Sequence, residues 1–140
     1  MSPLIRHPKR RGEWVELQFM ARAAAHGLTI SKPWGDSARY DFIVEHRGRF
    51  SRVQVKSTTC CIDGGYFCHT VSRPPRCASR VYRPTEVDFF ALFVIPEDVW
   101  YIIPVRGLRG ASSAYLKPHD RRNKYFRYLE AWHLLRQGQE

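Results

Sequence analysis

The chain has 140 residues, 44% of them hydrophobic and 14% aromatic, which suits one compact domain with one core and leaves no room for two. Lysine and arginine total 23 against 13 acidic residues, and a formal net charge of +10 in so short a chain points to an anionic partner, nucleic acid above all. A disordered basic tail is excluded by the aromatics, and no stretch approaches the ~20 apolar residues of a membrane span.

In chain order, residues 1–10 are basic, interrupted by Pro3 and Pro8, and read as a flexible arm with no apolar signal core. "GEWVELQFMARAAAH" (12–26) predicts a helix ended by Gly27. At about 100° per residue, Trp14, Leu17, Phe19, Met20, Ala21, Ala23 and Ala24 form a wide apolar arc, with Gln18 and Arg22 to solvent. Glu16 falls inside that arc, where a carboxylate is costly unless something pairs with it. Glu13 is expected in the first turn, near the positive end of the dipole.

"LTISK" (28–32) is a short strand and "PWGDSAR" (33–39) a loop, in which Trp34-Gly35-Asp36-Ser37, just ahead of Asp41, shapes the pocket or touches substrate in one reading and forms an Asx-type turn at Asp36 in the plainer, preferred one. Two strands joined at Arg47-Gly48 follow over residues 40–59. "CCIDGG" is a turn, "YFCHTV" a third strand of the sheet and "SRPPRCASRVYRPTE" a long basic loop. "VDFFALFVI" and "VWYIIPV" are two further strands. "RGLRGASSAYLKPHDRRNK" is irregular, and "YFRYLEAWHLLRQ" is a closing helix with Phe126, Leu129 and His133 or Trp132 inward. The order helix, strands, helix predicts a single α+β or mixed α/β domain.

The four cysteines, Cys60, Cys61, Cys68 and Cys77, contain no C-x-x-C pair. Cys68 and His69 alternate to opposite faces of a strand, so zinc is disfavoured and ordinary buried, reduced thiols in a cytoplasmic protein are expected.

A two-residue turn at Arg47-Gly48 makes facing residue numbers sum to 95 and sets Asp41 across from Gln54, roughly 5 Å away. Lys56 shares the Gln54 face, because strand side chains repeat every two residues. That face gathers Asp41, Gln54 and Lys56, while Phe42, Val44, Val53 and Val55 occupy the other. A carboxylate and an amide oxygen suit a hard divalent ion such as Mg²⁺. An ammonium beside them suits the activation of water and the offset of charge on a phosphorus oxygen. Glu16 reaches the same ion if its helix packs on this sheet. A solvated hairpin end with a surface lysine is the plainer alternative, and spacing alone leaves both open.

The surrounding residues weigh in. "RRGEWVELQFMARAAAHGLTISKPWGDSARYDFIVEHRGRFSRVQVKSTT" resembles the PD-(D/E)XK nuclease superfamily, and within it the group I intron-associated endonucleases, similar in layout to archaeal Holliday junction resolvases. The likeness is carried by Arg11, Gly12 and Glu16 as the opening motif. Asp41 stands at the "PD" aspartate, with Tyr40 in place of the proline, and Gln54-Val55-Lys56 at the "(D/E)XK" element. The intron-associated branch is similar in carrying glutamine there.

The resemblance implies a restriction-endonuclease-like core with a helix-strand-strand-strand start. It implies a Mg²⁺-dependent DNA endonuclease, with Mn²⁺ able to substitute, that leaves 5′-phosphate and 3′-hydroxyl ends. Glu16, Asp41 and Gln54 would bind the metal, Lys56 would assist the water, and a dimer or tetramer would cut the two strands. A structure-selective resolvase and a DNA-binding module without catalysis stay open beside the homing-type reading. Cations for the phosphate backbone are expected at Arg6, Lys9, Arg10 and Arg11; at Arg73, Arg76, Arg80 and Arg83; and at Arg106, Arg109, Lys117, Arg121, Arg122, Lys124 and Arg127. Tyr66, Tyr82 and Tyr115 nearby are read as packing residues rather than base-stacking ones.

Overall fold

The computed structural model describes residues 4–72 and 80–137. Helix α1 (Pro8–Ala25) leads into β1 (Thr29–Ser31), β2 (Phe42–His46) and β3 (Arg49–Thr58). The short strands β4 (Cys61–Ile62), β5 (Gly65–His69), β6 (Val71–Ser72) and β7 (Arg80–Val81) follow. Then come β8 (Phe89–Val94), β9 (Val99–Pro104), β10 (Ser113–Leu116) and α2 (His133–Gln137).

Among the described residues, the main sheet has the order β1-β2-β3-β8-β9, antiparallel except for the parallel pair β3–β8. A parallel pair needs a long crossover, and the chain between β3 and β8 supplies it. The expected α+β domain with a mixed sheet is what is seen. β8 is buried along its whole length, as a central strand covered on both faces must be. Phe89, Ala91 and Phe93 face the helices, while Phe90, Leu92 and Val94 face a second sheet, β10-β5-β4. The salt bridge Arg52–Asp88 ties the start of β3 to the start of β8, with Asp88 accepting from the Arg52 backbone at 2.7 Å and from its guanidinium at 2.9 and 3.0 Å. Burial raises the Asp88 carboxyl, but the Arg52 hydrogen bonds outweigh it and hold the group below its ordinary range.

Several expectations change. The helix opens at Pro8 rather than Gly12, so residues 8–10 belong to it and not to an arm. Proline suits a first turn, where its missing N–H is not needed. Glu13 is then beyond the first turn, which holds no acidic residue. The buried stripe of α1 is Val15, Phe19 and Ala23; Leu17, Ala21 and Ala24 of the expected arc are exposed, and Gln18 and Arg22 are half-buried. A flat sheet covers a narrower band of a helix than the apolar arc spans. Phe19 is the hub of that band, with ring centroids 5.2 Å from Phe42 and 5.7 Å from both Trp100 and Trp132. Phe19→Ala should therefore cost about 3–5 kcal/mol, read as a lowered midpoint in chemical denaturation.

"YFCHTV" joins the second sheet rather than the main one, with β5 paired to β10 inside the stretch expected to be irregular. "CCIDGG" contributes β4 as well as a turn. Cys60 and Cys61 are exposed at that corner, against the buried-thiol expectation, whereas burial pushes the Cys68 thiol up to about 12. The closing helix shrinks to His133–Gln137, with only a 3-10 turn at Phe126–Tyr128. Glu130 breaks it: its φ is +51°, its N–H donates to Trp100 O (2.7 Å), and its carboxylate accepts from Trp100 N–H (2.6 Å) and the Trp132 indole (2.9 Å). Trp132 is buried and His133 exposed.

Candidate active site

The hairpin that carries the site turns at Arg47 (φ 51°) and Gly48 (φ 79°). Positive φ at both positions is the turn whose twist matches that of two strands. The resulting pairs, Phe42↔Val53 through His46↔Arg49, sum to 95 as expected. β2 has five residues and β3 ten, so β3 runs on past its partner and leaves an open edge from Gln54 onward. Asp41 fills that edge. Its N–H donates to Val53 O (2.9 Å), the residue already opposite Phe42, and its Oδ2 accepts the Val55 N–H at 2.8 Å.

Two residues facing one make a local bulge, which re-aims the side chain. Asp41 therefore does not sit straight across from Gln54 on the Gln54 face, as a regular ladder would put it. It lies just past the end of the β2–β3 ladder, against the exposed edge of β3. With Glu16, Lys32, Pro33, Gly35, Asp36, Ala38 and Tyr40 it lines a cavity of about 260 Å³ on the helix side. Gln54 and Lys56 share the other face, paired along β8 with Phe90 and Leu92. Lys56 lines a cavity of about 270 Å³ there, together with Arg11, Thr58, Thr59, Cys60 and His69.

The electrostatics join the two halves. Burial is the chief cause raising the Asp41 carboxyl above its ordinary value. The Val55 N–H works against it, the nearby Glu16 charge raises it further, and Lys56 and Lys32 pull it down. Glu16 and Lys56 are thus each within electrostatic reach of Asp41 at the open end of β3. Gln54 is buried; its amide N–H₂ reaches only Val55 O, at 3.4 Å, and its side-chain oxygen accepts no hydrogen bond among the described residues. Lys56 Nζ is 3.4 Å from Val71 O and 5.4 Å from the Tyr82 ring centre, with no ion pair among the described residues.

This donor set fits a hard divalent cation. Glu16 and Asp41 line one partly buried space and repel, and oxygen ligands of that kind suit Mg²⁺; the Gln54 side-chain oxygen, on the other face, accepts no hydrogen bond among the described residues. Among the described residues no three His, Cys, Asp or Glu side chains form a metal group. A cation here would depend on the Gln54 oxygen and on water or phosphate.

Two residues were missed from the sequence. Lys32 pairs with Glu16 at 2.5 Å and lies 4.8 Å over the Phe42 ring. The β1–β2 pairing, Ser31↔Ile43, aims the next residue at this pocket, a register that the sequence alone left unset. Arg39 donates to Glu86 (2.6 Å) and Ser72 (2.7 Å) and stacks 4.0 Å over Tyr82, the ring that Lys56 also approaches.

The expected phosphate cations fall in different places. Arg10 lies exposed on the first turn of α1, and Arg11 lines the Lys56 cavity. Arg80 is exposed near Glu86 (3.5 Å), and Arg83 is exposed; Arg73 and Arg76, like Cys77, lie outside the described residues. Arg106, Arg109, Lys124 and Arg127 converge on a cavity of about 630 Å³ with Tyr125 and Tyr128. Lys117 lies 5.4 Å from the Tyr115 ring, Arg121 is exposed, and Arg122 is 3.8 Å from Asp120. Tyr66 and Tyr82 are buried, and the Tyr115 hydroxyl donates to Ile62 O (2.6 Å), which makes all three packing residues as read.

A family model described as PD-(D/E)XK endonuclease matches residues 6–135. Among solved structures, a bacterial homing endonuclease, I-Ssp6803I, is 27% identical with a TM-score of 0.82, covering 94% of this chain and 95% of that one. That likeness bears out the restriction-endonuclease-like core. A search of the curated proteins finds no match. No helix among the described residues is long and apolar enough to cross a membrane.

Proposed function

The chain belongs to the PD-(D/E)XK endonuclease family, and from that premise we propose a Mg²⁺-dependent DNA endonuclease of the homing type. One observation carries the reading: the Asp41 carboxyl, lifted by burial and by Glu16, lies in reach of the Lys56 ammonium at the open edge of β3.

Asp41, Gln54 and Glu16 would hold the cation, for which Mn²⁺ would substitute. When bound, it polarises a phosphoryl oxygen and lowers the pKa of a bound water. Lys32 neutralises Glu16 meanwhile. Lys56 orients the attacking water and offsets charge growing on the phosphorus oxygens. The Val55 N–H holds Asp41 in its re-aimed position.

DNA phosphates lie along the cationic surface. Arg11 stands beside Lys56, and Arg106, Arg109, Lys124 and Arg127 supply a second, larger cationic cavity. Arg10, Arg73, Arg76, Arg80, Arg83, Lys117, Arg121 and Arg122 extend the footprint. One site cuts one strand, so a homo-oligomer would serve the duplex. The similar solved structure, a homing endonuclease, supports the homing reading over a junction resolvase.

The test is purified protein with supercoiled plasmid and genomic DNA, first with Mg²⁺ and then with EDTA. Nicked and linear DNA should form only with the metal. Cutting that persists in EDTA, or binding with no cutting under any divalent ion, would overturn the proposal.

A further inference from the structure

Among the described residues, the loop between β1 and β2 has both ends tied down and a fully exposed tryptophan near its tip. At one end Lys32 is paired with Glu16 at 2.5 Å and rests over the Phe42 ring. At the other, Arg39 is held by Glu86 at 2.6 Å and Ser72 at 2.7 Å and stacks on Tyr82 at 4.0 Å. Between these anchors Pro33 limits the backbone, and Gly35 turns it at φ +79°. Trp34, between the two, is fully exposed and has no ring or cation contact among the described residues, unlike Trp14, Trp100 and Trp132. Its neighbours Pro33, Gly35, Asp36 and Ala38 form one wall of the cavity that holds Glu16 and Asp41. A large flat apolar side chain is thus held out at the rim of the carboxylate pocket, on a backbone fixed from both sides.

We infer that Trp34 is a base-stacking residue, which packs its indole against a nucleobase next to the phosphodiester presented to Asp41. The inference rests on the nuclease reading above and adds a contact to the bases that the cationic residues do not make. An indole face stacks on any base, and such contacts contribute to single-stranded binding and to the wedging apart of base steps. The anchored loop lowers the entropy lost when the ring is fixed against DNA, because the backbone is already ordered. Two other roles are open to an exposed tryptophan: contact with a second copy of the chain, and no contact at all. The position beside the pocket favours DNA, since Pro33 and Gly35 on either side of Trp34 line the same cavity as Asp41.

The experiment uses the full chain with sonicated mixed-sequence duplex DNA in EDTA, so that nothing is cut. Acrylamide quenching of tryptophan emission is followed, and plasmid cleavage with Mg²⁺ is measured alongside. Trp100 and Trp132 are buried and Trp14 is half-buried, so the fully exposed Trp34 is the most accessible emitter, and Trp34→Ala separates its signal from that of Trp14. DNA should shield that emission in the wild type and leave the acrylamide response of Trp34→Ala unchanged. Trp34→Ala should bind the duplex roughly 5- to 100-fold more weakly, and Trp34→Tyr should recover most of the loss because it keeps a stacking face.

The inference is overturned if the wild type binds and cuts DNA while acrylamide still reaches Trp34, or if Trp34→Ala binds as well as wild type. It is also overturned if shielding arises without DNA as protein concentration rises, which would assign the indole to a second copy. If the wild type neither binds nor cuts DNA, the nuclease reading itself fails and this contact with it.

Discussion

Lys56→Ala is expected to slow DNA cleavage by about 10²- to 10³-fold while duplex affinity in EDTA stays within a few-fold of wild type. The lysine is well placed for this split. It emerges from β3 on the face shared with Gln54, close enough to Asp41 to pull that carboxyl down, and no ion pair among the described residues occupies it. Among the described residues its one hydrogen bond, to Val71 O at 3.4 Å, is long and easily given up. A charge kept free beside a carboxylate contributes when negative charge grows on phosphorus and little when DNA merely docks. Lys56→Arg should not restore the rate, since a broad guanidinium fork does not place a point charge where an ammonium did. Single-turnover cleavage with Mg²⁺ measures the rate and fluorescence anisotropy the affinity. An alanine variant that cuts as fast as wild type would remove Lys56 from the chemistry.

Asp41→Asn should have the largest effect on activity, a loss on the order of 10³-fold or more if the carboxylate is a metal ligand, without a loss of stability. The sign follows from linkage. Burial first, and Glu16 as well, raise the Asp41 carboxyl in the folded chain above its ordinary value. The folded state then binds that proton more tightly than the unfolded one, so stability falls as pH rises through the folded pKa. Ionising Asp41 therefore destabilises the fold, and asparagine removes the charge while keeping an oxygen for the Val55 N–H. The thermal midpoint at neutral pH should equal or exceed that of wild type, and the difference should shrink as pH falls toward the carboxylate range. A midpoint several degrees lower would mean that Asp41 is structural, and residual cutting near wild type would deny it a catalytic role. The pattern, activity given up for stability, is what a strained site predicts.

Much of this was legible in the chain because it depends on neighbours close in sequence. The turn at Arg47-Gly48 needs two residues that accept positive φ, and the register of β2 and β3 follows from its length. Gln54 and Lys56 share a face because strands alternate. The strands β8 and β9 announce themselves as apolar runs of β-formers. The closing helix misled for a related reason: "YFRYLEAWHLLRQ" has helical composition, but Glu130 bonds the Trp100 backbone, a partner thirty residues away that no local pattern contains. The three-stranded second sheet was missed likewise, since β10 gains its strand character from pairing with β5.

By itself, the order of residues determined a mixed α+β domain, a basic surface, and a hairpin whose end carries Asp41, Gln54 and Lys56. All of these rest on periodicity, turn chemistry and charge count, which act over a few residues. Only the tertiary structure decided that Asp41 leaves the regular ladder, bonded to the Val53 carbonyl and the Val55 N–H. Glu16 was likewise brought to it by the packing of α1 and Lys32 by the β1–β2 register, and Arg106, Arg109, Lys124 and Arg127 were gathered into one cavity. Those outcomes depend on where separate elements come to rest against one another, and burial, rather than spacing, is what raises the Asp41 carboxyl above its ordinary value.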